Sequence, residues 1–503
     1  MMPWSTSLLK LEMPLLTNRP SDIRKGDMQA LDIPRTASAL VAQALDSGDI
    51  HAAAAVYEIA TGSEQKQLES VMFARRRDML ALARWEHTPG AVLAALARQH
   101  DGAVQRRVDS NPNAPEQALV SSYGLDQDSS LRAGLRASLR GLIARHHNTP
   151  PMLLQHMVEN SEDAATLRLI CRNPASNASI LKQLAQRQPA VLDKDIAVHA
   201  ATPAELLQTL YLRGDRQLQA AVLAHERCPE SLMDIASQAD DILLQRALAR
   251  HARLSLPLLQ RLAHSSDAAV RGAIAAHAAC PPAVVKDLST DSAALVRRAL
   301  AARRDLTPAL IGRFAEDRDH WVRQWLARNP VVPRAILQNL AADAHVEVRR
   351  AVARNPRCTI HLLEQLAQDN SAWVRAAVAY QPNATSCLMA QLAKDSDVDV
   401  LSGVASNQQT PRAILRQLAQ SEEADIRRGV ILNKEVQREQ LLPLLEDPYY
   451  LHRVMLASSL KLKNEDKWPL CQDPDAMVRF AAWKWFAASM GRPHRKLIHH
   501  SVQ

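Results

Sequence analysis

Five histidines, His147, His199, His225, His251 and His277, fall at multiples of 26 residues along this chain of 503, and imidazole is the commonest metal ligand. The ligands of one zinc ion must sit ~2 Å from it, whereas equivalent positions in stacked helical repeats lie about 10 Å apart. The spacing therefore excludes a shared metal. Stepped further, the register meets Asn173 between the histidines, then Arg303, Asn329, Asn355, Gln381, Asn407 and Asn433. The common property is a polar side chain able to bond the carbonyls of a turn or of the next repeat. That makes the column a structural ladder.

Arginine is the other side chain with chemistry to offer. Of 61 basic residues 13 are Lys, leaving 48 Arg against 53 acidic residues, for a net charge of +8. Pairs such as Arg297-Arg298, Arg303-Arg304, Arg349-Arg350 and Arg427-Arg428 are of the kind that tracks phosphates, and Trp321, Trp325 and Trp373 are of the kind that stacks on bases. Against that, one Arg of most pairs belongs to a periodic Asp-Arg spacing, and the basic excess is spread along the chain. Trp321 and Trp373 stand two periods apart just before a Val-Arg pair, the placing expected of packing residues on outer helices. With 14 glycines and no Gly-x-Gly-x-x-Gly or Gly-Lys-Thr motif, nucleotide-dependent chemistry has no cradle. No nucleophile, base and acid can be grouped, so neither a catalytic site nor a small-molecule substrate is expected.

These residues sit on elements set by the 26-residue beat itself. Val270, Val296, Val322, Val348, Val374, Val400 and Ile426 keep it, and so do Leu259, Val285, Ile311, Leu337, Leu363, Met389 and Leu415. A fixed period of this size is the mark of a solenoid, whose units complete their core by stacking. Val374, Ala377 and Val378 at i, i+3, i+4, and Leu362, Leu363 and Leu366 at i, i+1, i+4, each make one apolar stripe on a helix. Proline at Asn329-Pro330, Asn355-Pro356 and Gln381-Pro382 breaks the chain between the two helices. The expected fold is all-α, a right-handed superhelical solenoid of about 14 to 16 short helix pairs, of which twelve regular units would make an elongated arc or superhelix roughly 100 Å long.

A second periodic pair joins the repeats. Asp317 and Arg323, Asp343 and Arg349, and Asp369 and Arg375 stand six apart, as do Asp291 and Arg297 and Asp473 and Arg479. Aspartate before a helix can cap its free amides, while arginine bridges to a neighbouring carboxylate or turn. With Asn329, Asn355 and Asn407 these residues form the expected structural ladder.

The Asp-(x)5-Arg spacing with Val before the Arg resembles HEAT-type repeats. The longer string from Val348 to Pro356, Val-Arg-Arg-Ala-Val-Ala-Arg-Asn-Pro, followed by a Leu-Leu-x-x-Leu-Ala helix, resembles the bacterial leucine-rich repeat variant family. The resemblance covers residues 147–440 well and 75–120 loosely, and it implies a helical-repeat scaffold. Some members of that family carry an iron-sulfur centre on an N-terminal cysteine cluster. Here Cys171, Cys228, Cys280, Cys358, Cys387 and Cys471 are dispersed, with no Cys-x-x-Cys spacing, so no cofactor is expected.

Residues 1–40 show no periodicity and are expected to be irregular and partly disordered. Imperfect repeats at 41–146 and degenerate ones at 441–503, ending in a basic tail, are expected to cap the regular region. No apolar run is long enough to span a membrane, Met1 to Asp27 is expected to lack a signal-peptide core because Lys10, Glu12, Arg19 and Asp22 interrupt it, and the dispersed cysteines suit a cytoplasmic chain. One helix of each pair must line the concave side. The row Gln338, Asn339, Glu364, Gln365, Gln391, Arg416 and Gln417 on the second helices suits docking there of a protein or peptide. The function read from sequence is thus a non-catalytic protein-interaction scaffold. A nucleic-acid-binding array is the alternative, with the helical-repeat alkylpurine DNA glycosylases as its analogy at the level of fold.

Overall fold

The computed structural model describes residues 33–490, apart from 100, 127–132, 189 and 240. Among these residues the chain forms helices and no strands, in seventeen consecutive pairs from Ala37–Ser47 with Ile50–Val56 to Asn464–Lys467 with Ala476–Met490. It is an all-α repeat solenoid. Within one repeat, Thr359 caps the Ile360–Leu366 helix by accepting the Leu362 amide, and Leu362, Leu363 and Leu366 are buried. Loss of helical backbone before Pro356 ends the Val346–Ala353 helix, whose Val348, Ala351 and Val352 bury the facing stripe. Burial of each such side chain contributes ~1.5–3 kcal/mol, and adjoining repeats share it, since one apolar cluster runs unbroken from Tyr123 to Leu462.

The two helices of a pair occupy different layers. Each Val-Arg helix packs on the equivalent helices before and after it, while successive partner helices meet sparsely or not at all. In a curved two-layer stack the layer with the shorter circumference is the crowded one, so the Val-Arg helices are inner and their partners outer. Small residues permit the crowding. A Cβ on Gly403 would fall 2.7 Å from the Ala379 Cβ and 3.1 Å from the Tyr380 ring, and one on Gly429 would fall 2.7 Å from the Ala405 Cβ.

The array does not stay open. The last helix, Ala476–Met490, packs along Ile50–Val56 and touches Ala37–Ser47. A second apolar cluster unites residues from Leu40 to Leu119 with residues from Ala457 to Ala487. Phe480, Trp483 and Phe486 are buried in it beside the run Ala52–Val56, whose small side chains let two helices approach closely. The Phe480 ring meets Trp85 edge-on at 4.7 Å. The solenoid is thus a closed ring and not an open arc. Its terminal repeats cover one another and do not each present the polar cap that an open array requires.

The regular register begins later than the histidine column implies. Asn173 bonds the carbonyl of His146, 27 residues back, and the His146 ring reaches the Asn111 carbonyl, 35 residues back. His146 therefore holds the ladder position, and His147 beside it is exposed. Of the flanking segments, 1–32 and 491–503 lie outside the described residues, so the irregular N-terminus up to residue 32 and the basic tail do too.

Candidate functional site

The inner helices are held in register by guanidinium groups. The Nε and Nη2 of Arg297 donate to both carboxylate oxygens of Asp317, at 2.7 and 2.9 Å, and its Nη1 donates to the Asp291 carbonyl. Arg323 joins Asp343 in the same way at 2.6 Å, Arg349 joins Asp369 at 2.7 Å, and Arg375 joins Asp395 at 2.7 Å. Each pair crosses to the next repeat, 20 residues on. These aspartates do not cap the helices. Asp317 accepts the amide of Asp319, and Asp319 in turn caps the following helix at Trp321 and Val322. A rung is absent where Leu401 and Ser421 stand in place of Arg and Asp. The ladder resumes at Arg427 with Asp447 and Arg453 with Asp473, and it ends on Arg479, which donates to Asp49 across the seam of the ring.

The polar column runs parallel to this ladder. Asn355 donates to the carbonyls of Ala327 and Asn329 and accepts the Arg357 amide, and Asn329 and Asn407 repeat the arrangement. Histidine manages it with one ring. At His251, Nδ1 accepts the Arg253 amide, which leaves Nε2 to donate to the His225 carbonyl. The neutral ring is satisfied, whereas a proton on Nδ1 would expel the amide. Burial lowers the pKa of His251 and of His146, outweighing the carbonyl contact that raises each. A lowered folded-state pKa means that the stability is complete above the unfolded value of ~6.5 and is lost as pH falls through the folded value. The thermal midpoint is therefore expected to drop between about pH 7.5 and 5.5, and His251→Asn, the residue used at 355, to reduce that drop. A midpoint with the same pH dependence in both proteins would remove histidine from this role.

The inner face itself is basic. Its inward-directed stripe comprises the positions one before and two, three and six after the column that runs from Thr166 in steps of 26 to Val478, continued backwards through Leu139, Val104, Asp78 and Ala52. Among the described side chains sixteen Arg or Lys and five Asp or Glu occupy that stripe, so the excess that is dispersed in sequence is gathered on one surface. In one sector Arg77, Arg84, Arg106 and Arg107 line a groove of about 620 Å³ with Leu80 and Ala81. Five of the sixteen are paired: Arg77 with Asp78, Arg168 and Arg172 with Asp195, Lys194 with Asp215 and Arg246 with Asp267. Arg106, Arg107, Arg328, Arg350, Arg354 and Arg428 make no ion pair among the described residues.

Another sector combines cations with aromatic rings. Trp321 and Trp325 on the His320–Arg328 helix, and Trp373 and Tyr380 on and just after the Ala372–Ala379 helix, are 39 to 56% exposed and flank the inner helix Val346–Ala353. They face the ring interior and do not pack on outer helices. The guanidinium of Arg328 lies 5.7 Å from the Trp325 ring and that of Arg350 lies 5.5 Å from Trp373. Burial, together with the charges of Arg350 and Arg328, lowers the pKa of Arg354. Arg328, Arg350 and Arg354 make no ion pair among the described residues, although Asp399 and Asp425 lie in the same field around Tyr380, and large exposed aromatics beside cations mark a binding surface. The arrangement can hold phosphates on arginine while bases stack on indole. Arg328 and Arg354 share one column six residues after Val322 and Val348, a periodicity visible in the sequence beside that of the ladder arginines.

The polar row Gln338, Asn339, Glu364, Gln365, Gln391, Arg416 and Gln417 is exposed throughout and lies on the outer helices. A ligand in the ring interior does not meet it. His320, His345 and Glu347 bring three donor atoms within 4.8 Å of one another at the edge of the ring. The two imidazoles are stacked at 4.2 Å with planes 9° apart, which is the packing of an aromatic pair and not a tetrahedral ligand set. The cysteines stay dispersed, and burial raises the thiols of Cys171, Cys358 and Cys471 to about 12, far from thiolate chemistry at neutral pH. No helix of the described residues is long and apolar enough to cross a membrane.

No protein-family model matches the chain, and no curated protein matches it. Among solved structures it is similar to a leucine-rich repeat variant described as having a novel repetitive structural motif, at 25% identity and a TM-score of 0.31, over 46% of this chain and 86% of that one. It is also similar to a chain of the Pds5-Scc1 complex, described with implications for cohesin function, at 12% identity and a TM-score of 0.21, over 86% of this chain and 84% of that one. The 26-residue repeats and paired helices described above make this chain an all-α helical-repeat protein.

Proposed function

We propose that the ring is a cytoplasmic binding scaffold whose inner face holds nucleic acid. The observation that carries this reading is the sixteen-to-five excess of basic side chains on the inner stripe, continued into a sector where Arg328, Arg350 and Arg354 surround exposed indoles. Phosphates are neutralised by such a surface with release of counterions, and aromatic platforms among cations accept bases without regard to sequence. A protein or peptide partner calls for mixed charge around apolar anchors. The outer row at Gln338 to Gln417 has the mixed, mainly uncharged character that suits such a partner, so a protein ligand is the second reading and belongs to the other layer.

Fluorescence-anisotropy titration with a labelled duplex and a labelled single strand tests the first reading. Tight binding at about 50 mM salt should fall by several orders of magnitude at about 200 mM if six to ten phosphates are contacted. Absence of binding to either oligonucleotide at the lower salt would refute it.

A further inference from the structure

We infer that nucleic acid passes through the ring and is retained by topology as well as by charge, and that the contact between the first and last repeats is the gate through which a strand without ends is admitted. The inference rests on the reading that the inner face binds nucleic acid, and it adds a mode of holding which a basic groove alone does not provide.

The ring is large enough. Seventeen inner helices spaced about 9 Å apart give an evenly curved ring a circumference of ~150 Å, hence ~50 Å between opposite axes. Subtracting one helix thickness of ~10–12 Å leaves an opening of about 40 Å. A duplex and its hydration fit, with arginine side chains spanning the remaining gap. The basic stripe lines this opening on most of its helices, from Arg77 near the start to Lys484 near the end, so the field does not favour a ligand lying across the outside.

The seam differs from the other joints. Elsewhere the chain is continuous from repeat to repeat, so no joint can part without breaking a covalent path. Between Ile50–Val56 and Ala476–Met490 only side chains hold. They are the Arg479–Asp49 pair, whose partners are 430 residues apart in sequence, the Trp85–Phe480 edge contact, and the apolar patch around Trp483 and Phe486. Arg479 is scarcely more exposed than Arg375, but the Asp49 carboxylate is 17% exposed, whereas the aspartates of the other rungs are at most 10% exposed. The rung that closes the circle is the more hydrated one, and solvent screens it more.

The test uses the full chain with Cys387→Ser, which removes the exposed thiol, and with Ser47→Cys and Gln472→Cys. These two exposed residues line the same surface grooves on opposite sides of the seam. A short bismaleimide is added after incubation with nicked circular DNA or with the same DNA linearised, and the mixture is denatured in detergent. A threaded, covalently closed polypeptide is expected to stay on the circle and to leave the linear molecule, so detergent-resistant association should disappear when the circle is cut. Protein that cross-links in high yield and bound DNA before denaturation, yet leaves the circle in detergent, would overturn encirclement while the nucleic-acid reading survives. Failure to form the cross-link would show that the ends do not meet in solution, which also overturns it. Absence of binding to either DNA before denaturation would instead sink the underlying reading.

Discussion

Arg106→Glu with Arg107→Glu is expected to weaken oligonucleotide binding by roughly two orders of magnitude at about 0.1 M salt and to lower the slope of log affinity against log salt by about 2. Both residues are exposed on the inner stripe and make no ion pair, so the substitutions should leave thermal stability within ~0.5 kcal/mol of the parent. The control is Gln365→Glu with Arg416→Glu on the outer helices, a charge change of about −3 against about −4. It also adds negative charge to the molecule, but at a distance at which salt screens it, and affinity should change by no more than about twofold. Loss of binding in the control with retention in the inner variant would move the site to the outer row.

The second large effect concerns the ladder. Asp447 is fully buried beside Arg427, with the His452 ring 3.0 Å away. Burial would push its carboxyl up, but the Arg427 and His452 contacts hold it down at about 2. Arg427→Ala strands that carboxylate, and removing one partner of a buried pair costs ~3–5 kcal/mol. Arg349→Ala should cost less, ~1–3 kcal/mol, because Arg349 is 18% exposed and water can reach the vacated place. Chemical unfolding followed by circular dichroism checks both, with the midpoint falling further for Arg427→Ala. Because repeats interact chiefly with their neighbours, the transition is also expected to broaden as the ring parts at the weakened joint. Equal midpoints in all three proteins would mean that the apolar stacking alone joins the repeats.

The repeat itself was plain in the sequence because each valine and each column polar residue answers to a constraint that recurs every 26 residues. The layer assignment was not, since both helices of a pair are amphipathic and only the curvature of the assembled stack distinguishes them. Hence Trp321 and Trp373, placed before the Val-Arg pairs, read as packing residues although they are exposed to the ring interior. The arginines gave a similar ambiguity. Arg350 and Arg354, the latter at the helix C-cap, lie within five residues of the ladder residue Arg349 yet point about 100 to 140° away from it around the helix, and linear spacing of charge does not reveal its concentration on a face. Closure was hidden for another reason. The seam is built from Ala52–Val56 and from Phe480, Trp483 and Phe486, residues outside the periodic pattern, and an alanine run shows no preferred face. The one local signal was Asp49 ahead of a helix, a carboxylate awaiting an arginine that lies 430 residues away. At the start of the regular region adjacent histidines, His146 and His147, satisfied the column equally well, and the wrong one kept the period.

Electron-microscopy class averages of the full-length protein, alone and with an oligonucleotide of about 30 base pairs, test the central claim most directly. The closed scaffold predicts a ring with an opening of about 40 Å that fills with density when the oligonucleotide is added. Open arcs, or rings that stay empty while density collects on the outer surface, would contradict it.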